Sequence, residues 1–131
     1  MTTPRVASGQ TGAAALSLVV ATAFALVTFV TVADVVIMQF TRSAVRAATD
    51  EAVRVGSRSE APVAECEARA RAVLAGLLGP ATRDDVAVSC SVTGSPPTVR
   101  ARADVELVPW LPGLPVWAYS VHSDATQEIL P

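Results

Sequence analysis

Residues 6–33 contain no Asp, Glu, Lys, Arg or His. A core helix or buried strand of a small domain needs far fewer uncharged positions in a row. As a helix, at ~1.5 Å per residue, the run extends about 42 Å, against roughly 30 Å for the hydrocarbon core of a bilayer. The segment therefore reads as a membrane anchor. The expected division is a leader over 1–11, a transmembrane helix over 12–38, its amphipathic continuation over 39–58 and a small α+β domain over 59–131.

The helical signal continues past the uncharged run. Neither Pro nor Gly occurs between Ala13 and Val55, so one helix of about 43 residues, roughly 65 Å long, is predicted. In its second half Val45, Ala48, Ala52 and Val55 recur every three or four positions, while Arg42, Arg46, Asp50 and Arg54 occupy another face. This is an amphipathic pattern whose apolar stripe requires a partner. Gly56 and the serines at 57 and 59 supply a stop. A second helix is expected over 61–78, with Ser59 as its cap, Pro62 in its first turn and Gly79-Pro80 at its end. Its face of Val63, Cys66, Ala70, Val73, Leu74 and Leu77 would cover the stripe.

After Gly79 the period changes to two. Val86, Val88, Cys90 and Val92 alternate with smaller residues, and Gly94-Ser95-Pro96-Pro97 forms a turn. Val99, Ala101, Ala103, Val105 and Leu107 then alternate with Arg100, Arg102, Asp104 and Glu106, giving a strand with a charged outer face. Pro109, Pro112 and Pro115 bar regular structure in the next stretch, and a third strand is expected over 116–126. The fold class is thus α+β: a long helix, a second helix and a three-stranded antiparallel sheet.

Composition narrows the function. Net charge is −2, without a basic cluster, so nucleic-acid binding has no electrostatic support. Two cysteines and one histidine cannot complete a four-ligand structural zinc site. His122 has no nucleophile or acid near it at catalytic spacing, so neither an enzyme, a cofactor nor a small-molecule substrate is expected. Cys66 and Cys90 read either as a disulfide stapling helix to sheet outside the cytoplasm or as two buried thiols. Trp110 and Trp117 flank the proline-rich loop, where they form a partner-contact patch or cover the open edge of the sheet.

The layout resembles the TadE-like minor pilins (pseudopilins) of bacterial Tad/Flp type IVb pili, of the actinobacterial type. The residues that carry the resemblance are Gly12-Ala13-Ala14-Ala15 at the start of the apolar run and the Ala/Arg-rich segment from Ala44 to Arg54 after it. Leu111-Pro112-Gly113-Leu114 before the last strand adds to it. The resemblance covers 9–56 well and the remainder loosely. It implies prepilin processing between Gly12 and Ala13, partners that are other pilin or assembly subunits met through the first helix, and a role in assembly rather than catalysis. It departs at Ser17, where such pilins commonly carry a glutamate five residues beyond the processed glycine; this points to a minor or uncleaved member. Asp34 is either an assembly contact or a residue of the headgroup boundary.

Localisation follows with two counter-readings. A signal peptide ending at Thr31-Val32-Ala33 would need an apolar region of about 7–15 residues, and this one is longer. Arg5 alone precedes the span while Arg42, Arg46 and Arg54 follow it, which by charge favours a cytoplasmic domain. The cysteine pair and the pilin-like layout favour the opposite. The expected arrangement is a single pass through the cell membrane, lipid around the first helix, N-terminus cytoplasmic and the domain outside.

Overall fold

The chain forms one uninterrupted helix, α1, over Gln10–Gly56, as the lack of Pro and Gly between Ala13 and Val55 requires. At ~1.5 Å per residue it is about 70 Å long. The structure, a computed structural model, describes residues 10–79 and 85–127. Positions 1–9 of the expected leader, Pro80 at the expected helix end and the tail 128–131 lie outside the described residues.

A second helix, α2 (Pro62–Leu78), follows a short connection. Three strands then form an antiparallel sheet in chain order: β1 (Val86–Thr93), β2 (Thr98–Leu107) and β3 (Trp117–Thr126). Registers are full-length, from Val86 opposite Val105 to Thr93 opposite Thr98, and from Thr98 opposite Thr126 to Leu107 opposite Trp117. The α+β architecture read from the sequence is therefore the observed one.

Both helices lie on one face of the sheet, and period-two patterning decides which. Val99, Ala101, Ala103 and Val105 of β2 are buried beneath them, while Arg100, Arg102, Asp104 and Glu106 face outward. The core has two joined parts. Val45 and Ala48 of α1 meet Leu74, Ala103, Val105 and Val121 in one; Ala52, Val53, Cys66, Ala70, Val99 and Ala101 form the other. Alanine on α1, α2 and β2 lets the backbones approach closely, which is how a chain with few aromatics still fills its interior.

Three details differ from the sequence reading. Ser59 does not cap α2: the cap position is Ala61, and the Ser59 hydroxyl accepts the Ala61 N–H at 3.1 Å. Pro62 in the first turn reduces the number of N–H groups needing a cap. On α1 the buried row passes from Ala52 to Gly56, with Val53 beside it, and leaves Val55 half-buried. On α2 only Cys66, Ala70 and Leu74 are buried; Val63 and Leu77 stand one step round the helix and are 39% and 46% exposed.

Buried polar groups on α1 are tied into this packing. Thr49 is fully buried, its hydroxyl 3.1 Å from Ser123 Oγ on β3 and 3.0 Å from the Arg46 carbonyl. Ser123 donates to Asp50 Oδ1 at 2.6 Å, the charge-assisted and therefore strongest bond of the group. Thr49 is left to share its one proton between the Arg46 carbonyl and Ser123.

Candidate membrane and assembly surface

The apolar half of α1 stands clear of the domain. Leu16, Phe24 and Phe29 are 67%, 73% and 72% exposed, and large apolar side chains continue all round the helix to Phe40. A helix apolar on every side is suited to lipid or to other apolar helices. Thr22, Thr28 and Thr31 fit the same setting: each hydroxyl donates to the carbonyl four residues earlier at 2.8 Å. Their polarity is thus satisfied without water. By length and composition α1 can cross a membrane.

Gly12 and Ala13 lie in the first turn of α1, exposed, and Gly12 has open space where a Cβ would stand. They are far from the domain, since over 30 residues of helix separate them from the first core positions.

At the other end of the uncharged run the domain returns to the helix. The β2–β3 connection brings the Trp110 N–H to 3.5 Å from Asp34 Oδ1, a long and weak hydrogen bond, while Asp34 Oδ2 is enclosed without a partner. One and two helical turns further, Met38 and Arg42 line a shallow hollow with Pro115, Val116, Trp117 and Tyr119. The two tryptophans are thereby separated in role. Trp117 opens β3 opposite Leu107 and is half-buried beside α1, whereas Trp110 is 74% exposed. Trp117 thus lies on the edge strand β3, and Trp110 lies in the exposed connection that precedes it.

Tyr119 also faces α1. Its hydroxyl is enclosed without a hydrogen-bond partner, and burial pushes it above the ordinary tyrosine range, with the Arg42 charge pulling the other way.

Cys66 and Cys90 are joined, with a Cα–Cα distance of 6.3 Å. The bond ties the buried face of α2 to the edge strand β1, as the alternation of β1 and the α2 face allow. Glu67, the next residue on α2, accepts the outward Cys90 N–H at 3.4 Å and pairs with Arg71 at 2.9 Å. This covers one of the free donors that an edge strand presents. On the far face of the sheet Arg100 forks onto Asp124 at 2.7 and 3.2 Å. That contact holds the Asp124 carboxyl below the usual carboxylate range.

Sequence reasoning missed the meeting of Asp34 with Trp110, because 76 positions separate them. It also missed Thr49, although its place between Val45 and Val53 on the apolar stripe was a usable signal. Among the described residues no three His, Cys, Asp or Glu side chains are grouped as a metal ion would need. No family model, curated protein or solved structure matches the chain.

Proposed function

We propose that the chain is a single-pass membrane protein acting as a non-enzymatic minor pilin or pilus-assembly component of the TadE-like kind. Its N-terminus is cytoplasmic and its α+β domain lies outside. The supporting observation is the undivided α1. Its first half is apolar on every side and self-satisfied in its threonines, and its second half supplies Val45, Ala48 and Ala52 to the domain core. A helix shared in this way couples any movement or packing of the anchor directly to the domain. Small residues such as Ala13, Ala14, Ala21 and Ala25 let neighbouring helices approach closely in lipid. The Cys66–Cys90 bond favours an oxidising compartment for the domain.

A second reading, a single-pass envelope interaction module that never enters a filament, is favoured by Ser17, which stands where such pilins commonly carry a glutamate. Intact mass and N-terminal sequencing of the membrane-extracted protein separate the two. A chain beginning at Ala13 supports the pilin route, and retention of Met1 supports the plain anchor. A chain beginning at Asp34 overturns both, since the protein would then have been released by signal cleavage.

A further inference from the structure

We propose that the β2–β3 connection, residues 108–116, is a second membrane contact that inserts into the interfacial layer of the same bilayer α1 crosses. The inference rests on the anchoring reading above and goes beyond it by assigning the occupant of the loop.

Hairpin loops facing water are ordinarily polar. Here every residue from Leu107 to Ala118 is apolar, proline, glycine or tryptophan, without a single charge, hydroxyl or amide side chain. Val108, Trp110, Leu114 and Val116 are 72%, 74%, 41% and 49% exposed. Pro109, Pro112 and Pro115 carry no N–H, and the Leu114 N–H is taken by the Leu111 carbonyl at 3.4 Å. Four potential donors are thus absent or satisfied within the loop, which lowers the cost of moving its backbone out of water.

Position along α1 identifies the partner. The Trp110 backbone lies level with Asp34, where the uncharged run ends. Placing the hydrocarbon core on residues 12–33, about 33 Å of helix, sets Asp34 at its boundary. Arg42 lies eight residues, or about 12 Å, further out, at the depth of the phosphates and beyond. The loop spans that interval beside the helix, as the hollow shared by Met38, Arg42, Pro115 and Val116 requires. This is the layer in which tryptophan concentrates in membrane proteins. A protein-binding patch would be expected to carry a polar rim on all sides; here the loop supplies no polar side chain of its own, and the charges beside it are Asp34 and Arg42 of α1.

The test uses the full chain reconstituted in phosphatidylcholine–phosphatidylglycerol vesicles. Trp117→Phe leaves Trp110 as the sole tryptophan. Its emission should be quenched at least about two-fold more by lipids brominated just below the headgroups than by lipids brominated near the chain ends, with poor quenching by aqueous acrylamide. Subtracting the Trp110→Phe signal from that of the unmodified chain gives the same quantity without altering Trp117. Free access of acrylamide to Trp110 in protein that floats with the vesicles after a carbonate wash overturns the inference and leaves the anchor intact. Shielding from acrylamide without quenching by either lipid assigns the loop to a protein contact and also overturns it. Protein that does not float overturns the anchoring reading itself.

Discussion

Gly56 closes α1 directly against Cys66 of α2: a Cβ built on Gly56 would stand 3.0 Å from Cys66 Cβ and 2.9 Å from the Pro62 carbonyl oxygen. Val99 of β2 approaches the same point at 3.2 Å. The glycine is needed here for room: it is the point at which both helices and the sheet converge, beside the disulfide.

Replacing Gly56 by alanine should therefore destabilise the domain. Overpacking typically costs about 1–3 kcal/mol, and better helix propensity returns at most about 1 kcal/mol. A net loss of about 1–2 kcal/mol is expected, seen as a lower midpoint in thermal unfolding of the detergent-solubilised chain followed by far-UV circular dichroism. An unchanged midpoint would mean that the 57–61 connection yields freely.

The disulfide should contribute more. It bridges a sequence separation of 24 residues, for which the chain-entropy treatment gives on the order of 3.5 kcal/mol. Unfolding with and without reductant measures it. The non-reduced chain should also weigh less than the reduced one by the two thiol hydrogens. Two thiols alkylated in the absence of reductant would contradict the bond and remove the compartment argument for an outward domain.

Tyr119 is the one tyrosine of the chain, so tyrosinate absorbance follows it alone. Its titration should lie above the ordinary value of about 10, because burial disfavours the charged form. With the folded value raised above the unfolded one, stability is full below the unfolded pKa and falls as pH rises through the folded value, because the cost of burying tyrosinate is met only there. Since the hydroxyl is enclosed without a partner, Tyr119→Phe should be neutral or stabilising by up to about 1 kcal/mol and should remove the alkaline step. A destabilised phenylalanine variant would show that the hydroxyl has a partner in solution.

Asp124 behaves in the opposite sense. Its carboxyl is held low first by the hydrogen bond from Arg100, against a smaller opposing effect of burial. Its contribution is present above the unfolded value of about 3.9 and disappears as pH falls through the depressed folded value. Carboxyl resonances followed by NMR through an acid titration should show Asp124 returning toward the ordinary range in Arg100→Gln. Because the pair is exposed, global stability at neutral pH should change little.

Local residue patterns were enough to place the elements and orient their faces. An uncharged run too long for a small core, a proline- and glycine-free stretch and a switch of period at Gly79 are local signals, set by helix length, backbone sterics and side-chain alternation. They were sufficient for α1, α2, the three strands and the apolar row of β2. Where several rows were possible the sequence was less discriminating, as with Val53 and Val55, because both satisfy an approximate helical period and only the position of the covering sheet chooses. The long-range meetings came only with the assembled fold: Trp110 with Asp34, Thr49 with Ser123, Gly56 with Cys66 and Val99. Each depends on the angle at which α1 crosses the sheet and on the length of the β2–β3 connection. Those are outcomes of packing whole surfaces together, and no short window of residues contains them.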